Sequence, residues 1–396
     1  MNPSMTAALT PLSGLYGVAG RARRALYDRG LLRVHNVSSP VISVGNITVG
    51  GTGKTPLVAW IAKVLAREGR RVCILTRGYG RLDSHDRVIV SDGNEVLASP
   101  ERAGDEAYLL AEELKRCAAV ISDADRVAAA RWAVENWNTD VFVLDDGFQN
   151  LRLARNLDIV TIDATNPWGN RKLLPAGILR EPLSALTRAD CIVVTRADDA
   201  QQLDELENEL ARLSKGAPVF RSRMNLARLR RASGNETSLG TDEVKRSSVA
   251  AFCGIGNPES FFALLKRESY QLCYTRALRD HHRYVQSDLD QIERESVSSG
   301  AQALLTTAKD EVKLRSIFLD LPCYAVDIEI ELEVRRQSEA ATALWIRAEF
   351  SNDKFKESAV ATSLCRRTPI LLRRRRRLLR YCLHSRRSLR RRLTLY

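Results

Sequence analysis

Residues 41–56 read Val-Ile-Ser-Val-Gly-Asn-Ile-Thr-Val-Gly-Gly-Thr-Gly-Lys-Thr-Pro, and no other stretch constrains the fold of this chain as strongly. An apolar run leads into a glycine-rich turn, which is followed by Lys54, Thr55 and a helical pattern from Pro56. Glycines allow consecutive backbone N–H groups to curl around an anion at a helix N-terminus. The stretch therefore predicts a strand, a phosphate-binding loop and a helix, with Lys54 on the outer phosphates and Thr55 on Mg²⁺.

The loop departs at one position from the common G-x-x-x-x-G-K-[ST] pattern, because Thr48 stands where the first glycine is expected. The alternative interpretation is a glycine turn before an ordinary helix. A Gly-Gly-Thr-Gly-Lys-Thr core between a strand and a helix nevertheless favours phosphate binding. The residues predicted to bind the nucleotide are Thr48, Gly50, Gly51, Thr52, Gly53, Lys54 and Thr55.

Beyond the loop, short apolar runs alternate with helical patterns, which predicts a parallel sheet covered by helices on both faces. The runs that predict strands lie at 72–75, 118–121, 141–144, 159–162 and 191–195. The helical patterns lie at 56–68, 103–115, 126–135 and 201–213. A second α/β unit is predicted from strands at 248–253, 303–307 and 323–330, with a helix opening at Pro258.

A chain of 396 residues is long enough for two domains. The fold class predicted is α/β: a P-loop NTPase-like parallel sheet with helices on both faces, plus a second, smaller α/β domain. Residues 216–246 are rich in Arg, Ser, Gly and Asn, with hints of short strands at 219–224, and predict a connector. The expected boundaries are an N-terminal amphipathic helix at 1–30, a phosphate-loop domain at 31–215, the connector at 216–246, the smaller domain at 247–332 and a basic tail at 333–396.

The net charge of +13 invites a nucleic-acid interpretation, but its location argues against one. Residues 335–396 hold 18 Lys and Arg against 4 Asp and Glu, which leaves 43 basic and 44 acidic residues in the rest of the chain. The predicted catalytic body is therefore neutral, and no nucleic-acid partner is expected. The eight cysteines lack C-x-x-C spacing, which is typical of buried residues in a reducing cytoplasm.

The arginine-rich tail, with five arginines at 373–377 and three at 390–392, has three interpretations. It is a disordered basic tail, or a segment attracted to anionic lipid, or the product of a shifted reading frame. The sequence leaves the three open.

Two carboxylates, Asp145 and Asp146, follow the apolar run at 141–144. At the carboxyl edge of a parallel sheet, beside a phosphate loop, such carboxylates can position Mg²⁺ directly or through water. Asp-Asp-Gly is also good turn chemistry, so a plain turn is the alternative. The upstream loop favours the metal role.

Transfer of a phosphoryl group to an alcohol needs a base near the nucleophile and cations around the phosphates. The candidates in loops are Asp105, Glu106, Arg77, Arg81, Arg180, His281 and His282. A different pattern, Thr195-Arg196-Ala197-Asp198, is similar to the T-K-x-D motif with which GTPases bind guanine, but Arg196 replaces its lysine.

Taken together, these segments resemble the tetraacyldisaccharide 4′-kinase family of lipid A synthesis from about Leu12 to about Leu332. In that family Thr48 in place of the first glycine is an ordinary feature of the loop. The matching stretches are 44–56, Arg77-Gly78-Tyr79-Gly80-Arg81, Gly104-Asp105-Glu106-Ala107, Asp145-Asp146-Gly147-Phe148-Gln149, 174–177, 179–182, 252–258, Asp280-His281-His282 and Thr306-Thr307-Ala308-Lys309-Asp310.

The resemblance implies transfer of the ATP γ-phosphate to the 4′-hydroxyl of a lipid A disaccharide 1-phosphate at the cytoplasmic face of the inner membrane. It implies ATP and Mg²⁺ as cofactors and an acylated disaccharide 1-phosphate as the lipid partner. Residues 9–29 pair apolar positions with basic flanks, and could dock on the body or lie in a membrane interface. The resemblance favours the interface and hence a peripheral membrane protein.

The family roles fall on residues of this chain as follows. Lys54 contacts phosphates, Thr55 binds Mg²⁺, Asp145 and Asp146 lie near the metal, Asp105 is the base, His281 is its partner and Arg180 contacts phosphate or substrate. His282 is the alternative to His281, because the assignment depends on Asp280 setting the register.

A second hypothesis is a membrane-docked P-loop GTPase or ATPase switch. The membrane-associated partitioning ATPases carry a lysine where this chain has Val49, and the guanine-binding lysine is also absent. Both observations favour the kinase.

Overall fold

The structure is a computed structural model that describes residues 3–78, 81, 83, 86–233, 241–314 and 317–333. Residues 334–396 of the predicted basic tail lie outside this described part, and all three interpretations of the tail concern them. Met1–Leu332 forms one compact unit, whose end coincides with the predicted start of the tail.

The described strands form a single sheet. Their bounds are β1 Val41–Gly45, β2 Val72–Thr76, β3 Val88–Ser91, β4 Ala118–Ser122, β5 Val141–Asp145, β6 Leu157–Asp163, β7 Cys191–Thr195, β8 Val219–Ser233, β9 Ser248–Cys253, β10 Gln271–Ala277, β11 Ala303–Thr307 and β12 Cys323–Leu332. Their order across the sheet is β10-β9-β11-β12-β8-β7-β6-β1-β5-β2-β4-β3.

The described helices lie between these strands, apart from the first, which precedes them. They are α1 Pro3–Asp28, α2 Lys54–Arg67, α3 Pro100–Ala103, α4 Asp105–Glu113, α5 Arg126–Trp137, α6 Leu203–Leu213, α7 Thr241–Arg246, α8 Pro258–Arg267, α9 Gln286–Ser298 and α10 Ala308–Glu311.

The centre of the sheet explains where a ligand can bind. β1 lies between β5 and β6 and is parallel to both, and every residue of β1, β5 and β6 is buried. Strands covered on both faces need continuous apolar runs, which is why these segments lack an alternating pattern. The chain leaves β1 toward β2 on one side, while β6 lies on the other. Ligands of such sheets bind at the carboxyl ends of the strands beside this change of direction.

The segment predicted as a connector contains one 15-residue strand, β8, far longer than the expected strand at 219–224. Val219–Arg221 pairs in parallel with β7, and Ser222–Ser233 pairs antiparallel with β12. The arginines that suggest a loop are held at the strand surface, and both Arg228 and Arg230 pair with Asp327 on β12. β8 therefore joins the two halves of the sheet.

The N-terminal helix α1 contacts the body through small and polar residues. The Ser13 hydroxyl donates to the Leu173 carbonyl at 2.9 Å and accepts from the Ala176 N–H at 2.9 Å. Gly17 lies so close to Leu173 that a Cβ there would be 2.7 Å from its Cδ1. No helix within the described ranges is long and apolar enough to cross a membrane.

Candidate active site

The loop between β1 and α2 depends on glycine at Gly53. This residue caps α2 at φ 73°, a left-handed conformation that residues with a Cβ adopt only at a cost. A Cβ at Gly53 would also collide with the Met224 methyl and lie 3.2 Å from the Thr195 Cγ2. The loop is therefore held in the curled form that an anion site requires, with Lys54 as the first residue of α2.

Hydrogen bonds within the protein hold Thr52, a residue predicted to bind nucleotide. Its buried hydroxyl lies 3.0 Å from Asn46 Nδ2 and 2.9 Å from Thr161 Oγ1, and its carbonyl accepts from the Thr195 hydroxyl at 3.1 Å. The Thr52 side chain thus supports the loop, and only its backbone can serve a ligand.

Thr48 departs from the common loop pattern, and its pairing explains why a side chain is tolerated there. Thr48 forms an antiparallel bridge with Leu179, and the Val49 N–H donates to the Ile178 carbonyl at 2.8 Å. An extended residue in a bridge has no need of glycine. The residue lies buried at the base of the loop.

The two carboxylates at the end of β5 differ in environment. Asp145 is buried, and burial together with the nearby Glu106 and Asp146 raises its pKa to about 7. Burial also acts to raise the pKa of Asp146, but Lys54, at 3.7 Å, and Arg180 outweigh it and lower that pKa. We call residues 45–55 with Asp145 and Asp146 the loop wall.

Arg180 lies beside the loop wall. Its guanidinium donates two hydrogen bonds to the two oxygens of Asp146, at 2.7 and 2.9 Å, and a third to Asn46 Oδ1 at 3.2 Å. Its backbone carbonyl accepts from the Tyr16 hydroxyl of α1 at 3.1 Å. Arg180 therefore links α1 to the carboxylate that also contacts Lys54.

Asp105 is the first residue of α4, and the fold brings to it the side chains of two residues that are distant in the sequence, His281 and Lys313. Its Oδ2 lies 3.4 Å from His281 Nδ1 and 3.2 Å from Lys313 Nζ. Burial works to raise the pKa of Asp105, but the His281 hydrogen bond and the Lys313 charge outweigh it and lower the pKa below its ordinary value. Asp105 is therefore a carboxylate at neutral pH.

Lys309, at the start of α10, completes this group. Its ammonium lies 3.1 Å from His281 Nε2 and 3.3 Å from both Glu106 Oε1 and Asp280 Oδ1. We call Asp105, His281, Lys309 and Lys313 the Asp105 cluster. Sequence reasoning assigned no role to either lysine, and the only signal was that Lys309 falls in a matching stretch after a strand.

The remaining candidates lie as follows. His282 points to Asp288, with 2.8 Å between Nε2 and Oδ2, so His281 is the histidine beside Asp105. Arg81 is buried and donates to the Ser122 carbonyl at 2.8 Å, which gives it a structural contact. Arg77 and Glu106 both line the cleft.

A cleft of about 990 Å³ connects the loop wall with the Asp105 cluster. Lys54, Asp145 and Asp146 of the loop wall line it, together with His281 and Lys309 of the Asp105 cluster. The cleft thus contains both the glycine-rich loop and His281, whose ring contacts the Asp105 carboxylate.

The loop wall also offers ligands suited to Mg²⁺. No group of three or more His, Cys, Asp or Glu side chains within the described residues has metal-site geometry. Mg²⁺ does not need one, because it uses one or two carboxylates together with phosphate oxygens and waters. Thr55, Asp145 and Asp146 supply a hydroxyl and carboxylates. Burial, together with the charges of Glu106 and Asp146, raises the pKa of Asp145, and a divalent cation beside it would favour the charged carboxylate.

In the segment similar to a guanine-binding motif, residues 195–198, the side chains of Arg196 and Asp198 form ion pairs within the protein. Arg196 donates to Asp163 at 2.5 Å and to the Gly51 carbonyl at 3.0 Å, and Asp198 pairs with Arg267. The contact of Arg196 with the Gly51 carbonyl helps to hold the loop wall.

Comparison with known proteins decides the family. The family model described as "Tetraacyldisaccharide-1-P 4'-kinase" matches residues 5–348. The chain belongs to this family. The match extends past Leu332, so the first part of the predicted tail falls within the family and not outside it.

Individual relatives agree with the family model. A "Tetraacyldisaccharide 4'-kinase" of Desulfotalea psychrophila is 41% identical over 320 residues, covering 80% of this chain and 90% of the relative. One of Geobacter metallireducens is 42% identical over 327 residues, covering 82% and 94%. The crystal structure of LpxK from Aquifex aeolicus in complex with ATP has a TM-score of 0.69 and 33% identity, covering 88% of this chain and all of that one.

The family match confirms the kinase function and the α/β fold class predicted from the sequence. The GTPase or ATPase switch is not favoured, because the named relatives are kinases of an acylated disaccharide.

Proposed function

We propose that the protein transfers the γ-phosphoryl group of ATP to the 4′-hydroxyl of a tetraacyldisaccharide 1-phosphate in lipid A biosynthesis. The observation that carries this proposal is the cleft lined both by the loop wall and by His281 and Lys309 of the Asp105 cluster. The loop wall has groups suited to holding phosphates, and His281 contacts Asp105, the base that we propose for the alcohol.

The loop wall binds the nucleotide. Backbone N–H groups of residues 50–55 surround the phosphates, and the Lys54 ammonium neutralises their charge. Thr55, Asp145 and Asp146 would hold Mg²⁺, which would offset the phosphate charge. Arg180 keeps Asp146 in place through its two hydrogen bonds.

Asp105 acts on the acceptor. The 4′-oxygen forms a bond to the γ-phosphorus while the bond from that phosphorus to the β,γ-bridging oxygen breaks, and ADP leaves. The hydroxyl proton passes to Asp105. His281 and Lys313 both contact Oδ2, so we assign Oδ1 as the oxygen that takes the proton.

The lipid substrate requires the protein to meet a bilayer, and α1 is suited to this. Leu12, Leu15 and Val18 are 52–68% exposed, and Arg21, Arg23 and Arg24 follow them. Such a helix lies in the interface, with its basic residues near anionic headgroups. We therefore propose peripheral binding at the cytoplasmic face of the inner membrane. Leu15→Asp should weaken binding to anionic vesicles relative to Leu97→Asp, an exposed leucine of the body, and equal binding would refute this role.

The proposed function is tested with purified full-length protein, Mg-ATP and an acylated disaccharide 1-phosphate in mixed micelles. The expected product is the 4′-phosphorylated lipid together with one ADP for each lipid converted. A folded preparation that binds ATP but forms no phosphorylated lipid would refute the proposal. Lipid-independent GTP hydrolysis would support the switch hypothesis instead.

A further inference from the structure

Residues 172–181, which we call the strap, contact both α1 and the loop wall. The structure describes every residue of the strap, and among them there is no helix and no strand longer than a single bridge. Irregular backbone that is buried needs a partner for each of its N–H and C=O groups. The partners that α1 and the loop wall supply therefore determine where the strap lies.

Backbone and side-chain hydrogen bonds join the strap to the loop wall. The Arg180 N–H donates to the Ile47 carbonyl at 2.7 Å. The carbonyl of Ile178 accepts from the Val49 N–H at 2.8 Å. The Arg180 guanidinium donates to both oxygens of Asp146, at 2.7 and 2.9 Å. A displacement of the strap would thus move the base of the glycine-rich loop and one of the two carboxylates.

The helix α1 supplies the second set of partners. The Ser13 hydroxyl, in a residue that is 7% exposed, donates to the Leu173 carbonyl and accepts from the Ala176 N–H, both at 2.9 Å. Ala176 is fully buried, so its N–H depends on this hydroxyl for a hydrogen bond. The Tyr16 hydroxyl donates to the Arg180 carbonyl at 3.1 Å. α1 thus holds the strap at the same residue that holds the loop wall.

A close approach between α1 and the strap adds to these hydrogen bonds. Gly17 is buried, and a Cβ there would lie 2.7 Å from the Leu173 Cδ1. Ser13, Tyr16 and Gly17 are spaced as i, i+3 and i+4, so they share one face of the helix. Leu15, which is 68% exposed, lies away from this face. The residues that contact the strap are therefore distinct from the exposed apolar residues of α1.

We propose that α1 positions the nucleotide site through the strap. Ser13, Tyr16 and Gly17 hold the strap, and the strap in turn holds the glycine-rich loop and the guanidinium of Arg180. This inference rests on the proposed binding of ATP by the loop wall. Neither Ser13 nor Tyr16 lines the cleft, so both are positioning residues that act through the strap. Different faces of one helix therefore serve the membrane and the nucleotide.

The nucleotide site can be probed without lipid, by isothermal titration of Mg-ATP into the full-length protein in detergent. Tyr16→Phe removes the hydroxyl that holds the Arg180 carbonyl, so the Kd for Mg-ATP should rise by about two- to tenfold, the range for one hydrogen bond. The melting temperature should stay at the wild-type value, because the ring remains in place.

The matched control is Tyr27→Phe, which removes a hydroxyl elsewhere on α1, where Arg23 lies over the ring. This variant should keep the wild-type Kd. Equal Kd values for Tyr16→Phe and Tyr27→Phe would overturn the proposal.

A pair of glycines tests the close approach between α1 and the strap. Gly17→Leu places a bulky side chain against Leu173, so ATP affinity should fall at least as far as in Tyr16→Phe. Gly14→Leu makes the same change where a Cβ would have nothing within 4 Å, and it should keep the wild-type affinity. Both substitutions raise the helix propensity equally. Equal affinities in the two variants would contradict the role of the strap.

Membrane binding separates the strap from the exposed face of α1. Gly17→Leu and Gly14→Leu should bind equally to vesicles of phosphatidylethanolamine and phosphatidylglycerol, because both retain the exposed leucines and the arginines of α1. If ATP affinity falls only in variants that also lose vesicle binding, α1 acts through its own folding and the inference is wrong. Failure of the wild-type protein to phosphorylate lipid would refute the proposed function, whereas the ATP affinities would still report on the strap.

Discussion

The loop wall and the Asp105 cluster differ in how their residues are distributed along the chain. The loop wall comes from one stretch at residues 45–55 and one strand end, held by backbone conformation at Gly53 and by hydroxyl contacts to Thr52. The Asp105 cluster combines side chains from three segments, with 176 positions between Asp105 and His281. We infer from this comparison that the proposed phosphate site is encoded locally, whereas the proposed base depends on long-range contacts across the sheet.

The same comparison assigns the two regions to different substrates. The loop wall should determine ATP binding, and the Asp105 cluster should determine the transfer step alone. Variants of the two regions should therefore differ in whether ATP affinity falls together with kcat.

Removing the Lys54 charge should affect both binding and transfer. Lys54→Met takes away the cation that faces the outer phosphates, so ATP affinity should fall and kcat should drop by about 10³-fold. Isothermal titration and a lipid phosphorylation assay measure the two quantities. A loss of kcat with ATP affinity retained would move Lys54 out of the role given to the loop wall.

The loop wall should also be sensitive to backbone conformation. Gly53→Ala places a Cβ at φ 73° against Met224, which costs about 1–2 kcal/mol for the conformation alone. ATP affinity should therefore weaken by about tenfold or more.

A neighbouring glycine supplies the control for this variant. Gly51 has open space where a Cβ would stand and no positive φ, so Gly51→Ala should retain more ATP affinity than Gly53→Ala. Equal losses from the two substitutions would mean that the loop conformation is not what Gly53 provides.

The smallest effect is expected from the charge beside Asp105. Lys313 helps to lower the pKa of Asp105, so Lys313→Met should raise that pKa. As the pH falls, Asp105 would then become protonated, and so unable to accept the substrate proton, at a higher pH than in the wild type. The acidic limb of the kcat/KM profile should therefore shift upward by about one pH unit. ATP affinity should stay as in the wild type. An unmoved limb would show that Asp105 is not the group that titrates.

Much of this molecule could be predicted from local sequence. The loop at residues 41–56 and the carboxylates Asp145 and Asp146 are contiguous with buried strands, so their place at one sheet edge follows from the pattern. Short apolar runs located most central strands within one or two residues, since each is buried on both faces.

The rest could not be predicted because it depends on long-range pairing. β8 looks like a loop in sequence, since Arg228 and Arg230 are stabilised by Asp327 on a strand about a hundred residues later. In the sequence, Lys309 in α10 and Lys313 just after it look like ordinary lysines, and their partners are apparent only once the sheet brings this segment to α4. A side chain whose partners lie on another element leaves no local signal.

The most direct test of the division between the two regions is Asp105→Asn, examined for ATP binding and for phosphoryl transfer in the same preparation. The substitution keeps the size of the side chain and removes its capacity as a base. We predict that kcat falls by 10²–10⁴-fold, roughly the contribution of a general base, while the Kd for ATP stays at the wild-type value. A loss of ATP affinity as large as the loss of kcat would contradict the assignment of Asp105 to the acceptor.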